Sequence, residues 1–583
     1  MIAEQPIPIY TSLVDVFGAV EVSFRHATRW NNLAEEFERR FGRRPTYIAR
    51  APGRVKLLVL TGSKRYQSSL IGEHVDYALF GVLPAAVEPD ILIACAPRPV
   101  LRGQRKQAIE HTPGSVVAEN LDDKYTRQVF APAVKEPTEA NRQSGAAEFW
   151  HLDINTRELR WESYVKAGYY GVLNQHFAGE KREEPVPVDL LVSGTVPAGS
   201  GLSSSAAMVV ASTLAFLVVN GKLDSSANIL SKGDLVRMAM ENEKRVGVNS
   251  GGMDQAASVM CDPSSALYIT FHPSLHAETV PLPGRAVFVI ANSLVVADKA
   301  LSAKRGYNLR VVETLVGARI LAKSLGVKVD ANERITFREV AGKFIGERDN
   351  EDIGPDNLEN ALVEMEYKLE VLKPNKIVNG QLGVTMDEMI KMSGLSKGAF
   401  EELYLSWVDI EATHFQLYKR AKHVFSEARR VLQFRRTCLE SAVSSDPDDN
   451  FYIESLGRLM NDSQESCSKS FECSCPELDE LTRLAREAGA YGSRLTGAGW
   501  GGCTVSLVPE FGVNRFINKI KNTYRPYRYL DIDALKEAIF ATKPGNGACG
   551  ESIFPFFFAS MSEVDIASIQ IRGLIPASSS ENV

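Results

Sequence analysis

Cysteine is scarce in this chain, with eight among 583 residues. Only Cys473 and Cys475 lie close together, and a C-x-C pair with no His or Cys partner at zinc spacing supports neither a disulfide framework nor a structural zinc. A reduced, cytoplasmic protein is expected. Excess charge of one sign is missing too. A net charge of −6 with 24% charged residues leaves no electrostatic case for nucleic acid or an anionic membrane as partner. The N-terminus lacks a basic region followed by an apolar core, so no secretory signal is expected. The longest apolar run, Ala206 to Val219, is too short to span a bilayer and carries Ser212 and Thr213, so it predicts a buried helix. Several catalytic signatures are also missing. No G-x-x-x-x-G-K-[ST], H-R-D or D-F-G occurs, which excludes a P-loop and the protein-kinase signature. A formal G-x-G-x-x-G at Gly497, Gly499 and Gly502 precedes a strand-like stretch, whereas a dinucleotide site needs a helix there.

What is present suggests two domains, since the chain exceeds one typical core. Leu33 to Phe41 has helical apolar spacing, and Thr46 to Ala51, Asp90 to Ala96 and Val186 to Val192 read as strands. The charged region from Arg98 to Phe149 shows little periodicity and is expected to be a surface elaboration with little core. Arg285 to Asn292 predicts a buried strand opening the second half. Amphipathic patterns over Leu309 to Leu325, Pro355 to Leu372 and Thr413 to Phe434 follow, and Gly497 to Val508 turns from a loop into a strand. Strands mixed with long helices in both halves predict an α+β fold.

Three polar constellations stand out. Pro197-Ala198-Gly199-Ser200-Gly201-Leu202-Ser203-Ser204-Ser205-Ala206-Ala207 is a Gly/Ser loop feeding an apolar helix. Unpaired N–H groups at a helix start carry positive partial charge and suit phosphate, although serine there also suits a plain helix cap. Gly53-Arg54-Val55 and Leu70-Ile71-Gly72-Glu73-His74-Val75-Asp76-Tyr77 supply an arginine, two carboxylates and a histidine. Such a set suits a polyhydroxylated ligand. Glu243 to Gln255 places an acid on each side of a Gly-containing stretch, where one could hold a metal and the other contact a reacting hydroxyl, or both could be solvated acids around a turn.

Together with Met253-Asp254-Gln255 and Ser493-Arg494-Leu495-Thr496-Gly497-Ala498-Gly499-Trp500-Gly501-Gly502-Cys503, these segments resemble the galactokinases of the GHMP small-molecule kinase superfamily, in the family's order. Trp161-Glu162-Ser163-Tyr164 and Phe471-Glu472-Cys473-Ser474-Cys475-Pro476 resemble the fungal type. The resemblance implies a two-domain GHMP kinase fold with the active site in the cleft between domains, here 28–284 and 285–550. It implies ATP-dependent phosphorylation of the anomeric hydroxyl of galactose with Mg²⁺. Gly199 to Ala206 would wrap the ATP phosphates, and Ser204 or Ser205 with Glu243 would hold the metal. Asp254 would sit beside the anomeric hydroxyl and Arg54 would stabilise developing charge. Glu73, His74, Asp76, Gly251 and Tyr307 would read the other hydroxyls, and Trp161 would line the adenine pocket. Two alternatives stay open: an N-acetylgalactosamine kinase, and a non-catalytic galactose- and ATP-binding sensor that contacts a transcriptional regulator. In the sensor relatives the Gly/Ser loop is shortened, and here it is complete.

The chain departs from the family pattern twice. Where the family runs Gly-Arg-Val-Asn-Leu-Ile-Gly-Glu-His, the Asn is replaced by Lys56 to Ser69. With Lys56 as AAG, Leu57 beginning TT and Ser69 as AGC, removing a GT…AG interior restores AAC for Asn and keeps the frame, so the segment reads either as a translated intron or as a surface loop that bulges away from the site. Beyond Thr542 to Cys549, which resembles the family's closing motif leading into a last strand of the second domain, residues 551–583 resemble nothing in the family. Gly550-Glu551-Ser552 can encode a donor splice site, so the tail reads either as intron read-through or as a disordered extension.

Overall fold

The computed structural model describes residues 2–18, 20–54, 70–99, 109–134, 149–156, 158, 160–178, 183–196, 204–223, 229–246, 252–262, 265–295, 304–348, 351–374, 377, 382–446, 450–542 and 546–552. The segment 56–69 and the tail after Ser552 lie outside them.

Fifteen strands are described: β1 (Ile9–Tyr10), β2 (Tyr47–Arg54), β3 (Ala86–Pro97), β4 (Val116–Asn120), β5 (Gln128–Phe130), β6 (Ala133–Val134), β7 (Trp150–His151), β8 (Val188–Gly194), β9 (Ser265–Thr270), β10 (His276–Pro281), β11 (Ala286–Asn292), β12 (Gly492–Thr496), β13 (Cys503–Pro509), β14 (Ile539–Thr542) and β15 (Cys549–Ser552). A seven-stranded sheet runs β1-β15-β2-β3-β8-β4-β5, and a four-stranded sheet runs β12-β13-β11-β14. Sheets mixed with long helices in both halves make the fold α+β, as the alternation of patterns predicts.

The apolar run forms the helix Ser204–Val219, buried from Ala206 to Val218. It lies between the first sheet and the helix Trp161–His176, where Tyr169 stacks on Phe216 at 3.9 Å between ring centroids. A Cβ on Gly168 would stand 2.8 Å from the Val209 carbonyl oxygen, so glycine sets this helix–helix distance. In the second half, Val289, Leu481, Val508, Phe516 and Ile520 form a separate cluster behind the four-stranded sheet. Tyr524 and Tyr527 close it by donating to the Ser293 and Asn292 carbonyls at 2.7 Å each.

Two expectations need correction. The region 98–149 is not coreless, because β4 is inserted between β8 and β5 with Val116, Val117 and Ala118 buried. Three core residues in a row are too few to show a period. The closing motif does lead into a strand, but β15 pairs with β1 and β2 in the first sheet rather than the second. Arg50 draws the preceding chain there by donating to the Asn546 and Gly547 carbonyls at 3.0 and 3.3 Å. No helix among the described residues is long and apolar enough to cross a membrane.

Candidate functional site

Leu70 to Tyr77 begins with a β-like contact, Leu70 N–H donating to the Leu83 carbonyl at 3.0 Å, and then turns sharply through Gly72 (φ 105°) and His74 (φ 61°). The second half of the chain holds that turn. Gly72 N–H donates to Glu427 Oε1 at 3.0 Å, and His423 Nε2–H donates to the Glu73 carbonyl at 2.9 Å. The Arg494 guanidinium reaches Glu73 Oε1 at 3.2 Å and the Leu70 carbonyl at 3.3 Å, with Glu427 Oε1 at 3.7 Å. Gly497 N–H adds a bond to Glu73 Oε1 at 3.3 Å. All three charged side chains are essentially buried. Burial works to raise the Glu427 pKa, but the Arg430 and Arg494 guanidiniums outweigh it and hold the carboxyl at about 2. Removing one partner of such a buried pair costs roughly 3–5 kcal/mol, since it leaves a charge uncompensated. The carboxylate of Glu73 is thereby fixed in one place.

His74 is expected to read a hydroxyl, yet both its ring nitrogens are engaged within the protein. Nε2–H donates to the Ala498 carbonyl at 2.9 Å, and Nδ1 accepts from the Tyr77 hydroxyl at 3.3 Å. Burial drives its pKa down to about 3, so the ring is neutral. It packs against Phe471 at 4.5 Å, with Tyr307 and Trp500 each at 5.9 Å. Asp76 opens a short 3₁₀ turn and is buried, and the Tyr77 ring meets Tyr307 edge-on at 5.6 Å. Tyr307, distant in sequence, therefore meets the segment that carries Glu73, His74 and Asp76 at one aromatic-walled corner between the two halves.

A second corner gathers the other expected residues. Ser204 and Ser205 open the helix Ser204–Val219, Glu243 ends the helix Lys232–Glu243, and Asp254 lies in the first turn of Met253–Met260. These three helices pack on one another, and Gln255 donates to the Glu243 carboxylate. Asp254 is buried. Ser258, one turn further along the same helix, donates to the Pro52 carbonyl at 2.8 Å. Residues four apart share a helix face, so Asp254 lies on the same face as Ser258, on a helix that packs against β2. The Arg54 side chain, Gly199, Ser200, Gly201, Leu202, Ser203 and Gly251 lie outside the described residues. Trp161 starts its helix half-buried, with Nε1–H donating to the Thr126 carbonyl at 3.3 Å. That bond ties it to the loop before β5.

Sequence reasoning missed Glu427 and His423, and quoted Arg494 and Phe471 without giving either a role in the site. His423 and Glu427 are four apart inside the helix Leu417–Val443, among the buried Val424, Phe425, Ala428 and Val431. Polar residues on the apolar stripe of a helix are the signal that could have found them.

Comparison with known proteins follows this geometry. A galactokinase galactose-binding signature matches residues 68–97, so it begins where the converging segment does and leaves Gly53 to Val55 outside. The models described as "GHMP kinases N terminal domain" and "GHMP kinases C terminal" match residues 163–262 and 452–526. A galactokinase of Dictyostelium discoideum is 34% identical over 558 residues, covering 93% of this chain and 98% of the relative. A galactokinase of Saccharomyces cerevisiae is 34% identical over 543 residues, covering 90% and 94%. The solved structure of Lactococcus lactis galactokinase complexed with galactose superposes with a TM-score of 0.55 at 20% identity, covering 89% of this chain and 99% of that one. At that identity the likeness speaks for the fold alone.

Proposed function

The chain belongs to the galactokinases of the GHMP kinase family, and from that premise we propose how its residues transfer the γ-phosphoryl group of ATP to the anomeric hydroxyl of galactose. The observation that carries the reading is the galactose-binding segment itself. Leu70 to Asp76 is buried, and the segment is pinned by Glu427, His423 and Arg494 beside the Gly-rich turn. The relatives span 90% or more of the chain, and nothing among the described residues favours N-acetylgalactosamine or a regulator-binding sensor. The chain's eight cysteines are free thiols, which suits the cytoplasm.

Phosphoryl transfer needs little covalent help from the protein and depends on positioning and charge. Glu73 and Asp76 accept sugar hydroxyls, and Tyr307 supplies a wall and a hydroxyl. His74, bonded on both nitrogens, shapes the pocket rather than reading the ligand. Asp254 orients the anomeric hydroxyl and accepts its proton, and Arg54 steadies the charge that develops. Gly199 to Ala206 cradles the ATP phosphates at the start of its helix. The Glu243 carboxylate and the Ser204 hydroxyl are hard oxygen donors of the kind magnesium takes. They would hold an Mg²⁺ ion that neutralises phosphate charge. Few protein ligands suffice, because magnesium keeps several waters.

The test is ATP-dependent phosphorylation of galactose beside N-acetylgalactosamine, with Asp254→Asn as the diagnostic variant. Loss of a positioned base lowers turnover by roughly 10²–10⁴-fold, and galactose binding by calorimetry should survive. Wild-type turnover in the variant removes Asp254 from the chemistry.

A further inference from the structure

Left-handed backbone at residues other than glycine is uncommon, and where it gathers it marks a site the rest of the structure holds under strain. Five such residues occur among those described: His74, Leu79, Leu294, Glu472 and Trp500. Three of them meet at one place. Trp500 lies 5.9 Å from His74 between ring centroids, and its N–H donates at 2.6 Å to the carbonyl of Cys473, next in the chain to Glu472. Phe471, on the other side of Glu472, packs 4.5 Å from both His74 and His423.

Glu472 (φ 57°) caps a π-helical turn, Cys467–Phe471, a form frequent at functional sites. Glycine is the ordinary residue at such a cap, so a glutamate there has a task for its side chain. Its carboxylate pairs with Lys419 at 2.6 Å and with Arg420 at 2.8 Å. Arg420 is buried and also bonds Glu313 Oε2 and the Ser470 carbonyl, each at 2.7 Å. Arg310 donates to the Phe471 and Glu472 carbonyls at 2.8 and 3.2 Å. The turn also leaves no slack on its other side. A Cβ on Gly499 would stand 1.8 Å from the Cys473 carbonyl oxygen.

We propose that Glu472 is a positioning residue for the sugar site: by gripping Arg420 and Lys419 it fixes the left-handed turn that sets Phe471 against His74 and the Cys473 carbonyl against the Trp500 loop. The assignment of this corner to galactose rests on the function argued above. Glu472 touches no reacting atom and works through the His74 segment and the Gly-rich loop.

Glu472→Gly keeps the backbone conformation and removes the carboxylate, while Glu472→Gln keeps hydrogen bonding and removes the charge. In the full chain, Glu472→Gly should raise the galactose KM about tenfold, less than the ~10²-fold that a 1 Å misplacement can cost, with the ATP KM within about twofold. Glu472→Gln should fall between it and wild type. Amide exchange in unliganded protein, read by mass spectrometry, should quicken in 70–80 and 494–503 for Glu472→Gly and stay unchanged in the second-half cluster around Phe516. Wild-type galactose KM together with unaltered exchange in those two segments overturns the proposal. So does an equal rise in both KM values with exchange quickened throughout, which is general loosening. If the wild-type protein does not phosphorylate galactose, the functional reading fails, and the exchange comparison still decides the role of Glu472.

Discussion

His74 and His423 are buried imidazoles that each donate Nε2–H to a backbone carbonyl, of Ala498 and Glu73 respectively. Burial pushes their pKa values down to about 3 and about 4, against about 6.5 in an unfolded chain. The unfolded state therefore takes up protons first as pH falls. Their contribution is fully present above pH 6.5 and is lost progressively below it, down to the folded values. Around pH 5 the two rings together should give a slope of about 2 kcal/mol per pH unit. Denaturant unfolding at pH 7, 6 and 5 measures it. His423→Gln, which keeps a donor toward the Glu73 carbonyl, should make the slope shallower. Nothing in the local sequence announces that both rings are neutral. His74 stands inside a recognisable polar motif and reads there as a ligand contact. Only the partners brought by Ala498 and Tyr77 turn it into a neutral structural ring.

Among the elements, the long periodic helices and the apolar strands β2, β3, β8 and β11 were legible, whereas β4 was not and β15 was expected in the other sheet. Leu309 to Leu325 and Thr413 to Phe434 correspond to the helices Tyr307–Ser324 and Leu417–Val443, because several turns of apolar spacing outweigh local noise. β4 and β15 are short, and only their neighbours define them. β15 carries the next prediction. Burial raises the Glu551 carboxyl to about 7, so the folded state keeps it protonated while the unfolded state ionises near 4.5. The strand then loses stability as pH rises from 4.5 to 7. Glu551→Gln, neutral throughout, should match wild type at pH 4.5 and exceed it at pH 8 by about 1–2 kcal/mol, discounted for partial exposure. Melting curves at the two pH values check this, and equal differences at both would refute the titration.

Across the whole molecule, the sugar corner is assembled from both halves. Glu427, His423 and Arg494 hold Leu70 to Tyr77, and Ser258 ties the Asp254 helix to β2. The split motif between Val55 and Leu70 therefore does not leave the second part unsupported. What the extra residues affect is the link from Arg54 to Glu73. Replacing Lys56 to Ser69 with a single Asn should raise kcat/KM for galactose, by up to ~10²-fold if Arg54 is displaced by about 1 Å. Equal activity in the two forms would make the segment a benign loop, and the mature transcript should lack its bases if it is intronic. The sequence by itself determined the α+β class, the long helices and the kinase family, because these rest on local spacing and ordered motifs. Tertiary structure alone decided that Arg494 and Glu427 fix Glu73, that His74 is neutral and internally bonded, and that β15 returns to the first sheet. Each of those depends on which distant groups exclude water from one another, and a linear sequence does not state that.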